Sequence, residues 1–256
     1  MLSTMNLTGN SVLITGGGSG IGRALAIALH RRGNHVLVAG RRTGPLQALA
    51  QDYPGIDWHP LDLTDTECIQ HFAAMLEHRR PELNVLINNA GVMALESSTE
   101  PDPARSESVI ATNLSGPVTL TSLLLPSLRN KPNAVIVNVT SALAFVPLAI
   151  APTYSASKAG LHAYTEAIRI LLQDSGIQVI EIAPPRIETE MEGPARSGSV
   201  HVDAFVTEVL TTLATHPDTT EIIVEAARML RHAEREGRYD VVLAAINSAI
   251  DAKDVL

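Results

Sequence analysis

Ser11-Val12-Leu13-Ile14-Thr15-Gly16-Gly17-Gly18-Ser19-Gly20-Ile21-Gly22 is the stretch that decides the fold. Its first half is a short apolar run bounded by turn residues, the pattern of a strand buried on both faces. Its second half runs straight into Ala24, Leu25, Ile27, Ala28 and Leu29, which recur at the helical period. Gly33 caps that helix, and His35-Val36-Leu37-Val38-Ala39-Gly40 reads as a second strand. Strand, glycine-rich turn, helix and strand make one βαβ unit. Glycines let the backbone turn sharply and approach a pyrophosphate, and the helix N-terminus offers it unpaired N–H groups and the positive end of a dipole. A glycine-rich turn alone serves a purely structural bend equally well. The flanking strand and helix favour a bound dinucleotide.

The end of the second strand distinguishes two cofactors. An acidic residue there would hydrogen-bond the ribose 2′-hydroxyl of NAD. Here Gly40 is followed by Arg41 and Arg42. Two guanidinium groups suit a 2′-phosphate by charge and by bidentate geometry. The expectation is NADP(H), with NAD(H) as the alternative and solvated surface arginines as the structural reading.

Beyond this unit the alternation continues. A helix is expected over 46–53, a short strand from Trp58 to Leu61 ending at Asp62-Leu63, and a helix from Asp65 to about Arg79. Strand Val85-Leu86-Ile87 leads into Asn88-Asn89-Ala90-Gly91. Residues 106–128 can hold one long helix containing Asn113, kinked at Gly116-Pro117. Ala134 to Val139 is a buried strand ending at Thr140-Ser141, and Ile177 to Ile182 is a sixth, closing with Ala183-Pro184-Pro185-Arg186-Ile187-Glu188-Thr189. Strands and helices alternating at this spacing imply an α/β fold with a single doubly wound parallel sheet of the Rossmann type. No linker, repeat or second core is visible, so residues 1–256 read as one domain. Residues 190–206 carry Gly193, Pro194 and Gly198 and read as a substrate loop. Asp218-Thr219-Thr220-Glu221 fits a capping box opening a helix that runs to Gly237, and Asp240 to Ile250 a last helix.

Tyr154-Ser155-Ala156-Ser157-Lys158 opens another helix-length apolar run. Residues four apart share a helix face, so phenol and ammonium sit side by side. A free tyrosine is a poor acid or base at neutral pH, and a fixed positive charge favours its phenolate. That pair can do general acid/base work. Taken alone, a pattern of two residues is better read as a surface Tyr and Lys on an amphipathic helix. Every motif so far falls at the carboxyl end of an expected strand or on the helix after it, where such sheets bind ligands.

Composition sets the remaining bounds. Hydrophobic residues form 45% of the 256 and aromatics only 3%, so the core is aliphatic. The formal net charge of −8, with no long basic run, argues against nucleic acid or an anionic membrane as partner. Cys68 is the sole cysteine, so no intrachain disulfide forms, and a reducing, cytoplasmic setting is the simplest reading. Residues 1–10 are polar and lack a signal-peptide core. The apolar stretch 142–152 is broken by Pro147 and too short to span a bilayer, so no membrane span is expected. The nine histidines show no metal-ligand spacing, and no metal is expected.

Thr15-Gly16-x-x-x-Gly20-Ile21-Gly22, Asn88-Asn89-Ala90-Gly91, Asn113, Ser141 and Tyr154-x-x-x-Lys158 stand in an order and spacing that resemble the short-chain dehydrogenase/reductase family over about residues 7–190. The resemblance implies roles. Tyr154 would be the acid/base at the substrate oxygen, and Lys158 would lower its pKa and hold the nicotinamide ribose. Ser141 would orient the substrate oxygen, and Asn113 would hold a proton-relaying water. Gly16, Ser19, Gly20, Ile21 and Gly22 would contact the cofactor, as would Arg41, Arg42, Asp62, Leu63, Asn89, Ala90, Gly91, Pro184, Ile187 and Thr189. A carbonyl or alcohol would be the substrate, and the assembly a homodimer or homotetramer through the helices around 106–128 and 154–172. Two departures stand out. Pro184-Pro185 replaces the family's Pro-Gly, stiffening that corner, and a helical C-terminal tail stands where a seventh strand is usual, leaving six or seven strands. Both resemble a bacterial branch found with D-alanylation operons. The pocket expected from these positions is apolar, lined by Met93, Leu95, Phe145, Val146, Leu148 and Met191. Against the oxidoreductase stand a non-catalytic NADP(H) sensor or scaffold and a cofactor-assisted epimerase.

Overall fold

The computed structural model describes residues 5–189 and 199–248. Seven strands form one parallel sheet in the order β3-β2-β1-β4-β5-β6-β7. They are β1 (Ser11–Thr15), β2 (His35–Gly40), β3 (Ile56–Pro60), β4 (Val85–Asn88), β5 (Val135–Val139), β6 (Gln178–Ile182) and β7 (Glu221–Ile222). Strand order reverses between β1 and β4, and the loops leaving their carboxyl ends diverge to leave a crevice.

The central strands β1, β4, β5 and β6 bury both faces, while the edge strand β3 is largely open. In β1, Val12 and Ile14 join the core beneath α1 (Gly20–His30), α2 (Thr43–Asp52) and α7 (Val202–Thr215). Leu13, between them, joins the core on the opposite face, with Ile69 and Phe72 of α3 (Thr66–Arg79) and Leu120 and Leu124 of α5 (Gly116–Leu128). α6 (Pro152–Leu171) adds Ile168 to that second core. Such two-sided burial is why the strands read as continuous apolar runs rather than alternating ones. Asp65 caps α3, accepting hydrogen bonds from the Glu67 and Cys68 N–H groups.

The long helix around Asn113 is continuous but not regular. α4 (Pro103–Ile110) passes through a π turn at Ala111–Ser115 into α5. Pro117 has no N–H to return to the Asn113 carbonyl four residues back, and the wider turn absorbs the mismatch. Pro103–Leu128 is long and apolar enough to cross a membrane by length and composition. Here its Leu120, Leu124 and Leu128 face the sheet and it packs on α3, the place of a sheet-covering core helix.

In the C-terminal third two expectations change and the open strand count is settled. Asp218-Thr219-Thr220-Glu221 opens no helix. Glu221 and Ile222 pair with Glu181 and Ile182 as β7, and the Glu181 N–H donates to the Thr220 carbonyl. A free strand edge on β6 claims those backbone groups before a helix can. The seventh strand therefore exists, and the helical tail begins after it, as α8 (Arg228–His232) and α9 (Tyr239–Asn247). The 190–206 loop also ends sooner: α7 starts at Val202, while residues 190–198, with Met191, lie outside the described residues.

Candidate active site

A cavity of about 800 Å³ lies across the carboxyl ends of the strands. Every cofactor position expected from the sequence lines it except Gly22, and Ser141 lines it too. Gly22 is buried one turn into α1, behind the glycine-rich turn. Asn113 is fully buried beneath the cavity rather than on its wall.

The glycine-rich turn is clamped from below. Thr15 Oγ1 accepts from the Asn89 and Ala90 N–H groups, each at 3.1 Å. The Asn89 amide donates back to the Thr15 carbonyl at 2.9 Å. These bonds join the ends of β1 and β4 so closely that a Cβ on Gly16, whose φ is +69°, would lie 2.7 Å from the Ala90 Cα. Asn89 thus holds the turn. At the head of α1, Ser19 makes no side-chain cap and the first turn carries no acid. Its hydroxyl instead accepts from Arg42 Nη2 at 2.9 Å. The orphan N–H groups of this helix start, with their dipole, are left open to an anion without competition from the Ser19 side chain. Arg41 lies near Asp62, whose carboxylate accepts from the Thr64 N–H at 2.9 Å and hydroxyl at 2.7 Å. Burial pushes the Asp62 carboxyl up, but those two hydrogen bonds and the Arg41 charge outweigh it and hold it below its ordinary value.

At the other end Tyr154 and Lys158 lie one turn apart on α6, both buried. The Lys158 ammonium is 5.9 Å from the centre of the Tyr154 ring and donates to the Val139 carbonyl at 2.8 Å. Removal from water pulls its pKa down to about 8. Ser141, just beyond β5, uses a hydroxyl lone pair on the Leu143 N–H at 3.1 Å. The Asn113 amide grips the loop after β4, accepting from the Val92 N–H at 2.8 Å and donating to its carbonyl at 2.9 Å. Its second N–H reaches Ser157 Oγ on α6 at 3.0 Å. Gly91 keeps the space beside the ammonium open: a Cβ there would stand 3.4 Å from Lys158 Nζ and from Asn113 Oδ1. The Pro184 carbonyl accepts from the Ala142 N–H at 2.8 Å, tying the loop after β6 to the loop after Ser141.

Of the apolar residues expected around the substrate, Met93 and Leu148 line the cavity. Leu95 is half exposed and lies off it. Phe145 and Val146 face elsewhere. A tight turn at Ala142–Ala144 reverses the chain after Ser141. Phe145 then packs beneath the Arg231 guanidinium at 4.7 Å, and Val146 is buried with Ala233 and Val242. Their places on the wall are taken by Leu143 and by Met229, Leu230 and Ile246 of the helical tail. No local signal ties that tail to a site more than seventy residues earlier. A second omission was legible. Asn88, Asn138 and Glu181 are polar residues inside otherwise apolar parallel strands, where a buried polar group requires a partner.

A model of the short chain dehydrogenase family matches residues 10–199. Over 195 residues the chain is 39% identical to the uncharacterized oxidoreductase DltE of Bacillus subtilis strain 168, covering 75% of this chain and 77% of that one. It is 34% identical over 185 residues to an uncharacterized oxidoreductase of Myxococcus xanthus, covering 71% and 73%. Among solved structures it resembles a short-chain dehydrogenase from Streptomyces avermitilis with a TM-score of 0.80 at 26% identity, covering 93% of this chain and 96% of that one. It likewise resembles one from Burkholderia cenocepacia J2315 in complex with NADP, with a TM-score of 0.79 at 27% identity, covering 94% and 98%.

Proposed function

The chain belongs to the short-chain dehydrogenase family of NAD(P)-dependent oxidoreductases, and from that premise we propose that it is an NADP(H)-preferring enzyme interconverting a carbonyl and an alcohol, with Tyr154 as its general acid/base. One observation carries this reading: Tyr154, Lys158 and Ser141 line the same cavity as the glycine-rich turn and the Arg41–Arg42 pair. The residues fit the cofactor. The uncapped start of α1 suits the pyrophosphate, the two arginines a 2′-phosphate, and the space over Gly91 a ribose within reach of Lys158. The Burkholderia relative, crystallised with NADP, agrees with that choice. When bound, the nicotinamide supplies or accepts the hydride.

The chain's own groups handle the oxygen. The Tyr154 hydroxyl gives its proton to a carbonyl oxygen during reduction and takes one back during oxidation. The adjacent ammonium keeps the phenolate accessible. Ser141 donates a hydrogen bond to that same oxygen. Asn113 holds a water on the path to Lys158, through the backbone carbonyl that Pro117 cannot serve. Met93, Leu143, Leu148 and Met229 exclude water and favour an uncharged, apolar carbonyl. The working assembly is a cytoplasmic homodimer or homotetramer through α4–α5 and α6, whose end leaves Ile170 and Leu171 exposed.

Titration of the protein with NADPH and NADH by fluorescence tests the cofactor choice, and Tyr154→Phe tests the chemistry. That variant keeps its NADPH affinity and loses about 10²- to 10⁴-fold in turnover of a carbonyl substrate. Turnover surviving in Y154F would remove the acid/base assignment. NADPH binding by a wild type that reduces no carbonyl would favour a sensor.

A further inference from the structure

Four adjacent strands carry one polar side chain each at the same level. Asn88, Asn138, Glu181 and Glu221 are successive cross-strand partners on β4, β5, β6 and β7. Each also meets a helix. Asn88 donates to Thr121 on α5, Asn138 to Thr165 on α6, and Glu221 accepts from Arg231 on α8 at 2.7 Å. Glu181 is almost wholly excluded from solvent, and His162 Nδ1 on α6 lies 2.8 and 3.0 Å from its two oxygens.

This row lies directly under the residues proposed to act on the substrate. Val139, next after Asn138, holds Lys158. Thr140 donates its hydroxyl to Glu181 at 2.6 Å and immediately precedes Ser141. His162 stands one turn beyond Lys158, which stands one turn beyond Tyr154. Arg231 bonds Glu221 while covering Phe145, and its neighbours Met229 and Leu230 wall the cavity. Strand β5 and helix α6 therefore meet at Glu181, and the tail joins them through Glu221, the cross-strand neighbour of Glu181.

The ligand atoms of His162, Glu181 and Glu221 lie within 4.8 Å of one another, close enough to hold a cation. That role is taken already. Arg231 balances Glu221, and the remaining buried charge, Glu181, is balanced only when His162 carries a proton. An unpaired buried carboxylate is strongly disfavoured. The site is thus built for a protonated imidazole rather than a metal.

We propose that His162 and Glu181 are positioning residues, their charged pair fixing Ser141 through Thr140 and the Tyr154–Lys158 turns of α6 through His162. The proposal rests on the reading that those residues perform the chemistry. It also carries a pH dependence. His162 faces Glu181 from β6, Glu221 from β7, Arg231 from α8, and Glu166 at 3.7 Å on its own helix, with Lys158 one turn behind. The Glu181 hydrogen bond, with the charges of Glu181 and Glu166, outweighs burial and Arg231 and raises its pKa above the ordinary value of 6.5. The pair is thus complete below 6.5 and is lost as pH rises through the folded value. Above that value Glu181 loses its counter-charge and the placement of Ser141 loosens.

The test uses the full-length protein with NADPH and 4-nitrobenzaldehyde as the probe, from about pH 6 to about pH 10, a span that covers the histidine range and its alkaline side. Nitrogen-15 imidazole NMR, with His162→Gln assigning the signal, locates the His162 midpoint. In H162Q, kcat falls about tenfold through misplacement of the reacting groups, NADPH affinity stays unchanged, and the fall of kcat at the wild-type His162 midpoint disappears. H162N behaves alike, so the result does not hang on one folding outcome, and Glu181→Asp, which keeps the charge, retains more activity than Glu181→Gln. An unchanged kcat and pH profile in both His162 variants would overturn the proposal. If the wild type reduces no aldehyde, the oxidoreductase reading fails on this probe, and the positioning role is read without turnover. Tyrosine ionisation at 295 nm, wild type minus Y154F, shifts its midpoint in H162Q if the pair positions Tyr154 and superimposes if it does not.

Discussion

The Lys158 ammonium, buried on α6, donates at 2.8 Å to the carbonyl of Val139 at the end of β5. One neutral carbonyl does not replace the water lost, and burial lowers its pKa from 10.5 to about 8. The sign of the stability effect follows. Between about 8 and 10.5 the unfolded chain binds a proton that the folded chain does not, so folding is stabilised as pH rises through that window. Below it the buried charge destabilises by about 3 kcal/mol. Lys158→Met, of similar length and no charge, is therefore expected to melt higher than the wild type at pH 7, by about 1–3 kcal/mol, while losing turnover. Its advantage shrinks as pH rises from 8 towards 10.5. Paired melting curves across that range check this, and an advantage independent of pH would refute it.

Arg41 and Arg42 lie exposed at the end of β2, with Arg42 held on the Ser19 hydroxyl beside the start of α1. If they receive a 2′-phosphate, each contributes a charge-assisted hydrogen bond of about 1.5–3 kcal/mol. Arg41→Ala with Arg42→Ala should then weaken NADPH binding about 10²-fold or more and leave NADH nearly unaffected. Added salt should weaken NADPH binding to the wild type and much less to the variant, because the contacts are exposed charges. Fluorescence titrations of both cofactors at two ionic strengths decide it. Equal losses for NADPH and NADH would place the arginines on a shared part of the cofactor.

The fold was legible where burial and backbone chemistry act locally. Val12 to Ile14, Val85 to Ile87 and Val135 to Val137 are apolar because both faces of a parallel strand are covered, and the glycine turn after β1 is informative because a strand and a helix flank it. The cavity wall near the nucleotide end followed from the same strand ends. What was not legible depends on distant partners. Asp218–Glu221 carries a sound helix-start signal, yet the open edge of β6 makes it a strand. Phe145 and Val146 sit beside Ser141 in sequence, but the turn at Ala142–Ala144 and the arrival of Arg231 and Val242 take them away from the cavity. Glu181 reads as one acid in an apolar strand. Its meaning appears only when α6 brings His162 to it.

Gly16 allows the strength of the turn's geometry to be measured. Two effects oppose a side chain there: its φ of +69°, which favours glycine, and a Cβ 2.7 Å from the Ala90 Cα and 3.1 Å from the Asn89 side-chain nitrogen. Gly9 supplies the control, since its φ is +72° but nothing lies within 4 Å of a Cβ. Gly9→Ala should cost about 1 kcal/mol, the conformational penalty alone. Gly16→Ala carries that penalty and also forces apart the ends of β1 and β4, which the Thr15 and Asn89 hydrogen bonds hold together. Its total is expected to be about 2–4 kcal/mol, from strain plus overpacking. Only Gly16→Ala should lose NADPH affinity, because only there does the displaced backbone line the cavity. Denaturant unfolding of both variants, with NADPH titration of each, separates the contributions. Equal destabilisation with unchanged binding would mean that the clamp between the two turns yields, and that the close approach is not what the glycine is for.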